Sequence, residues 1–314
     1  LAASLLDEDS LPPNMGGPAH PAVTGGMSNI ANALLALPQQ TLQASEGLRQ
    51  TGQYSPAPAM DLAMALAGGG TSFAQKGAAG IFGGRLAKTA DQSALSMAEQ
   101  MAERGMDRKQ IWDATGWFKG ADGKWKFEIP DDTAKLTLKG NPNNPDLHGQ
   151  GPLNTILSHP DLFDAYPGLG KIESEIADSS LLRPWGIYRY NHRPIIGGQK
   201  IEARGGEGGP LQTKQVALHE VQHGVQIAEG FAEGSHPSRL RDVAIRAGTP
   251  ADKIDEAIYE AYRRHAGEVE ARNVENRMQM TPDERRKFPP WVTQDIPDEQ
   301  QIVRLPSWYE RFLR

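Results

Sequence analysis

The chain has 314 residues, enough for one large domain or two ordinary ones, and its 38% hydrophobic content with 34 glycines and 23 prolines predicts a modest core and much irregular chain. A net charge of −6 argues against a phosphate backbone as main partner, and the sequence carries no strong nucleic-acid signal. Cysteine is absent, which excludes disulfides and thiolate metal sites and leaves any metal to histidine and carboxylate.

The opening LAASLLDEDSLPPNMGGPAHP has neither an initiator methionine nor a secretion signal and reads as the interior of a longer or processed product. Residues 1–28 lack periodicity and are expected to be extended unless a partner orders them. A short amphipathic helix is expected from Ile30 to Gly47. Residues 59–87 are small, weakly apolar and rich in glycine; Asp61, Lys76 and three adjacent glycines make them a poor spanning helix, so the expectation is a linker with some helix, with conditional membrane contact as the alternative. Leu95, Ala98, Met101 and Ala102 predict a helix over 91–104 closed by Gly105. Asp122-Gly123 between Trp117-Phe118 and Trp125-Lys126-Phe127 predicts a hairpin with a small aromatic core. Residues 140–152 read as a loop, and His148 and His159 as structural histidines. Strands are expected at Ile172–Ile176, Trp185–Tyr190 and Ile195–Ala203, after which Thr213 or a polar neighbour would cap the next helix.

That helix carries His219-Glu220-Val221-Gln222-His223. Histidines four apart stand about 40° apart around a helix axis and one turn along it, so both imidazoles reach one ion, as in the zinc-binding HExxH arrangement. Glu220 points aside, where it would meet a water rather than the metal and serve as general base. Leu218, Val221, Val225 and Ala228 supply an apolar stripe; Gly224 implies close packing, and Gly230 and Gly234 are stop signals. A third ligand is needed. Ile258, Ala261, Tyr262, His265, Val269 and Val274 predict a second helix from which Glu268 or Glu270 projects toward the histidines, but not both, because residues two apart point in nearly opposite directions. His265 is a lesser candidate ligand, better read as part of a solvated face. Tyr188, Tyr190, His192 and Arg193 are candidates for stabilising an oxyanion. Thr281-Pro282-Asp283-Glu284 predicts a cap and a proline-started helical turn, and the proline-rich residues from Phe288 onward an extended tail that wraps its own domain or a neighbour.

Gly267-Glu268-Val269-Glu270-Ala271 resembles the ExEA stretch of gluzincin-type metallopeptidases, which implies Glu268 as the metal-binding carboxylate. Arg272 departs from that pattern, standing where many of those enzymes keep an aspartate that orients a histidine ligand. More broadly, GWFKGADGKWKFEI, HPDLFDAYPGL, LHEVQHGVQIAEGFAEG, AGEVEARNVENRM and PPWVTQDIPDEQQIVR resemble, in order, the zincin-like domain of the large polyvalent proteins of tailed phages. The resemblance covers roughly residues 95 to 305. It implies an α+β zincin-like domain over 91–305, with a small sheet beside the HExxH helix and a second ligand-bearing helix, between a partly helical Gly/Ala/Pro-rich arm (1–90) and a short tail (306–314). It further implies Zn2+ held by His219, His223 and Glu268, Glu220 as catalytic base, a protein or peptide substrate, and a virion location with delivery into the host. The alternative is a structural virion or ejection protein with a non-catalytic metal site, whose arm and tail contact other virion proteins.

Overall fold

The computed structural model describes residues 79–141, 144–178, 185–189, 199–206 and 209–304, all within one compact unit spanning Ser72–Arg314. The helix expected over 30–47, most of the glycine-rich membrane candidate and the tail 306–314 lie outside the described residues.

The first strand, β1 (Ala79–Gly83), falls in the stretch whose composition suggests a linker. It pairs antiparallel with β3 (Trp125–Pro130) and buries Ile81 and Phe82. Gly83 and Gly84 are small for a reason, since a Cβ at Gly84 would sit 2.6 Å from the Glu229 carboxylate. Helices α1 (Gln92–Glu103) and α2 (Arg108–Thr115) follow. Asp91 and Asp107 cap them through their side chains, and Gly105 at φ 76° and Gly116 at φ 75° end them as left-handed residues. The expected hairpin is present: β2 (Phe118–Lys119) pairs with β3 around Gly123 at φ 73°. Its aromatics form a core, Trp117 tilted on Phe127 at 4.8 Å and Phe118 between Phe82 and Trp291 at 5.8 and 5.9 Å.

Strand β4 (Lys135–Leu136) pairs with β7 (Leu157–Ser158), which follows the short helix α3 (Leu153–Ile156). The main sheet has the order β5 (Lys139–Asn141), β6 (Asn144–Pro152), β8 (Glu173–Asp178), β10 (Lys200–Gly205), β9 (Trp185–Arg189). Residues 144–152 are thus a strand where proline and glycine suggest a loop. Backbone pairing to β8 over Leu147–Pro152 sustains it, and Gly149 leaves room for Ile156, which a Cβ would approach to 2.7 Å. Only β8 and β10 are parallel; β9 lies antiparallel at the end of the sheet. Between β7 and β8 runs α4 (Pro160–Ala165), capped by His159, whose Nδ1 accepts the Leu162 N–H. That histidine is structural as expected, and burial lowers its pKa to about 4.

Helix α5 (Gly209–Glu229) lies against β10 and β9 and buries Leu218, Val221 and Val225 completely, while Ala228 is exposed. It begins earlier than its polar residues suggest. Thr213 is no cap but a buried residue of the first turns, donating to Asp178 Oδ1 and to the Gly209 carbonyl, each at 3.1 Å. Gly224 is pressed by Leu169 and Tyr188, whose nearest atoms a Cβ would meet at 3.1 and 3.2 Å. Helices α6 (Pro237–Arg246) and α7 (Ile254–Arg264) form a pair, and α8 (Ala266–Met278) follows after a break at His265. The break interrupts the helix expected to run through it: His265 turns extended at ψ 127°, and Ile302 pairs with it, accepting from Ala266 N and donating to the Arg264 carbonyl. Capped by Thr281, α9 (Pro282–Lys287) precedes α10 (Pro290–Thr293).

Through Arg304, the proline-rich segment wraps its own unit. Asn273 donates to the Pro290 carbonyl at 2.8 Å, Arg272 pairs with Asp295 at 2.9 Å, and Arg108 pairs with Asp298 at 2.6 Å. The hairpin half is held to α8 and α9 by Glu128–Arg277 at 2.6 Å and Asp131–Arg285 at 2.7 Å. Severing one partner of such a buried pair costs about 3–5 kcal/mol. A fragment of residues 79–137 alone is therefore expected to stay unfolded, read as collapsed amide dispersion in an NMR spectrum; a folded fragment would show that these pairs are not needed.

Candidate metal centre

Helices α5 and α8 run antiparallel, since His219 meets Glu275 at one end of their contact and Gln226 meets Gly267 at the other. Four-residue spacing puts His219 and His223 on the side of α5 that faces the first turn of α8, with ring centroids 4.9 Å apart. The turn contributes Glu268, 2% exposed, whose oxygens lie 3.5 Å from His219 Nε2 and 3.7 Å from His223 Nε2. One ligand atom from each of the three residues lies within 4.8 Å of the others. Tetrahedral zinc with ligands at about 2.0–2.1 Å holds them about 3.4 Å apart, close to this spacing.

The hydrogen-bond partners of the two rings suit the same purpose. His219 Nδ1 lies 2.5 Å from Glu275 Oε1, and His223 Nδ1 lies 2.9 Å from Gln226 Oε1. Gln226 spends its amide hydrogens on the Gly267 carbonyl and Glu270 Oε1, so its oxygen is the atom left to accept from His223. With Nδ1–H donating in both rings, Nε2 is the nitrogen of each ring that faces Glu268, His219 toward Oε2 and His223 toward Oε1. Glu268 Oε2 is buried without a hydrogen bond. A buried carboxylate between two imidazole nitrogens is a donor set that a cation can complete.

Charge is balanced tightly. Burial works against ionisation of Glu268, but His223, His219 and the Ser235 N–H at 2.9 Å outweigh it and hold the carboxyl at about 2. Burial alone would lower the His219 pKa, yet Glu268 and Glu275 on either side hold it well above its ordinary value. His223, more affected by burial, is lowered. Glu220 is pushed up to about 8, first by burial and then by Glu268 and Glu275, against the opposing charge of His219 and a backbone bond from Tyr188. It lies flush against β9, where a Cβ at Gly186 would be 2.3 Å from Glu220 Oε1. Two more glycines are just as confined: a Cβ at Gly234, in the loop after α5, would be 2.5 Å from Glu268 Oε1, and one at Gly267, in the first turn of α8, would be 2.2 Å from the Glu233 carbonyl carbon.

The other sequence candidates separate cleanly. Glu270 also faces α5 but on the flank away from the triad, accepting from Gln222 and Gln226 and pairing with Lys126. His265 is buried rather than solvated, with Nδ1 3.4 Å from the Glu233 carbonyl, and is not one of the clustered ligands. Tyr188 adjoins Glu220 through its backbone; Tyr190, His192 and Arg193 lie outside the described residues. Arg272 is turned to Asp295 and the Arg263 carbonyl. Its place beside the histidine is taken by Glu275, two turns along α8 from Glu268 and so on the same face, a periodicity present in the sequence. Tyr262, at the end of α7, also reaches the site: burial and then Glu268 hold its phenol well above its ordinary pKa, with Glu220 contributing.

Residues 80–137 match the family model described as large polyvalent protein associated domain 23. That segment runs from β1 to the end of β4 and supports, over its own length, the resemblance to large polyvalent proteins; α5 and α8 lie outside it. No curated protein and no solved structure matches the chain.

Removing the carboxylate on His219 by Glu275→Ala should weaken metal affinity about ten- to a hundredfold, measured by competition with a chromophoric chelator. Without metal, stability should fall as pH rises past 6.5. Glu220 goes from an ordinary 4.5 to about 8 on folding, so its ionisation opposes the fold across that range. His219, raised from 6.5, contributes fully below that pH and loses its contribution as pH rises through its folded value. Glu268 has the opposite sign, its contribution lost only as pH falls from 4.5 to about 2. Histidines lowered by burial, His159, His223, His236 and His265, carry the opposite sign to His219 and add stability as pH rises toward 6.5. Urea unfolding of chelator-treated protein should therefore lose stability between pH 6.5 and pH 8, and a rise over that range would contradict the assignment.

Proposed function

We propose that this unit is a zinc-dependent hydrolase of amide bonds, carried by a phage large polyvalent protein within the virion and delivered into the host. The observation that carries the reading is the pair of imidazoles with Nδ1 engaged and Nε2 facing the buried Glu268 carboxylate, whose Oε2 has no hydrogen bond. Two nitrogens and one carboxylate oxygen with no thiolate favour zinc, with a fourth position for water. Zinc bound there would supply a Lewis acid that polarises the substrate carbonyl and acidifies the attacking water.

Glu220 would take a proton from the attacking water on its carboxylate and hand it to the leaving nitrogen. Burial is the first cause of its value of about 8, and a cation at the neighbouring triad would lower it toward the working range near neutral pH. Tyr262, whose phenol is influenced by both Glu268 and Glu220, is our candidate donor to a developing oxyanion. Strand β9 adjoins Glu220 and has no strand on its outer side among the described residues, so an extended peptide can add to its edge.

A second reading, a structural metal in a virion or ejection protein, is favoured by the burial of the site, with Glu220 only 5% exposed and Glu268 2%. Among the described residues no helix is long and apolar enough to cross a membrane.

One substitution separates the readings, and a second tests the metal site that both share. Glu220→Gln should retain one equivalent of zinc and the fold while lowering peptide hydrolysis at least a hundredfold, in keeping with the usual ~10²–10⁴ contribution of a general base. His223→Ala should lose the zinc itself, counted by mass spectrometry of the native protein. Retained zinc with no hydrolysis of a degenerate peptide library by the wild type would favour the structural reading.

A further inference from the structure

The chain that leaves α5 is what covers the triad. Residues 233–236 cross it as a strap: Ser235 N donates to Glu268 Oε1 at 2.9 Å, and a Cβ on Gly234 would lie 2.5 Å from that oxygen and 2.6 Å from His223 Cε1. A side chain has no room there, so the strap lies flat on two of the three clustered residues. It leads into α6 and α7, and this helix pair returns to the same place. Tyr262 at the end of α7 adjoins Glu268, and His265 Nδ1 lies 3.4 Å from the Glu233 carbonyl. With Glu268 buried in this way, a peptide reaches the ligands only when the cover moves.

The two ends of this excursion are held unequally. At the far end Ala266 N donates to the Ile302 carbonyl, Ile302 N to the Arg264 carbonyl, Arg264 Nε to the Gln300 carbonyl and Arg272 to the Arg263 carbonyl. At the near end Ala232 N is anchored to Asp122 Oδ2 at 2.9 Å, but the strap after it is tied to the chain outside the helix pair, among the described residues, only by the Ser235 and Glu233 bonds. The helices themselves have little core. Helix α6 buries Leu240 and Ala244, α7 buries Ile258 alone, and the two pack mainly on each other, with the exposed Arg241–Asp255 pair across them at 2.7 Å. Elements with so few buried apolar contacts are the ones that open locally. Opening also relieves a defect, because Ser235 Oγ and His265 Nε2 are buried without a hydrogen bond and water would satisfy both.

We propose that the strap and the α6–α7 pair, residues 233–264, form a flap over the metal centre that swings between its anchors at Ala232 and Arg264, releases the Ser235–Glu268 bond, and admits metal and peptide. The flap rests on the metal-site reading and deepens it. It accounts for a site whose ligands are buried although its chemistry needs an entering chain: the burial belongs to the closed state, and the latch is a single backbone hydrogen bond onto the ligand it covers.

The test uses the whole chain, with cobalt(II) as a coloured stand-in for zinc at nitrogen and carboxylate ligands. Uptake by the metal-free protein in stopped-flow absorbance should level off as cobalt rises, because opening then limits the rate. Gly234→Ala should lift that plateau about tenfold, since the added methyl has no room against Glu268 and His223 and holds the strap up. Damage to the ligands alone would speed release and leave the uptake plateau where it was. Gly168→Ala, where nothing lies within 4 Å of the added carbon, should keep the wild-type plateau. Amide exchange read by mass spectrometry should run at least about tenfold faster in residues 233–262 than in the buried part of α5. Uptake that rises in proportion to cobalt throughout, an unmoved plateau in Gly234→Ala, or an equal gain in Gly168→Ala would overturn the flap. Exchange in residues 233–262 as slow as in α5 would overturn it whether or not metal binds. Fast exchange there in a wild type that takes up no cobalt would support the flap and overturn the metal-site reading.

Discussion

Everything in this unit is arranged around a polar seam between two antiparallel helices. Along α5 and α8, His219 meets Glu275, the histidine pair meets Glu268, Gln222 and Gln226 meet Glu270, and Gln226 reaches the Gly267 carbonyl. Apolar residues cover the seam from the sheet side, with Leu218, Val221 and Val225 fully buried. Charge placed this deep is tolerated only when each carboxylate has a partner, because an unpaired buried charge costs several kcal/mol. The seam therefore demands countercharges and donors from elsewhere: Lys126 from the hairpin for Glu270, and for Glu268 the Ser235 N–H from the loop after α5 beside the two imidazoles.

Two glutamates separated by one residue take opposite parts in this scheme. Glu268 looks across the first turn of α8 to the imidazoles, and Glu270 looks to the hairpin. The one joins the histidine cluster and the other joins the two halves. Glycine makes the arrangement possible at three points of contact: Gly186 lets β9 lie on Glu220, Gly234 lets the loop pass the ligands, and Gly267 lets α8 approach that loop.

The sequence carried the centre well because a helix makes local spacing into shared direction. His219, Glu220 and His223 needed only the pitch of one helix, and the two-residue offset between Glu268 and Glu270 already required that only one face the histidines. Partners reached across the fold were not legible. Gln226 and Tyr262 became visible only when α8 and the end of α7 met α5, and the exchange of Arg272 for Glu275 needed the orientation of α8 about its axis. Composition misled where backbone pairing, rather than side-chain preference, supports the strand. Residues 79–83 and 144–152 are both rich in small residues or turn formers, yet neighbouring strands hold them in place.

The bridge between His265 and Ile302 has a bearing on how the chain matures. It ends α7 and starts α8, and Ala266, at the head of the turn that bears Glu268, gives its amide hydrogen to Ile302. On a ribosome, the HExxH stretch emerges well before this closing segment, so a nascent chain can expose both histidines while the turn bearing their carboxylate still lacks its anchor. The three clustered side chains are thereby brought together only once synthesis has passed Ile302.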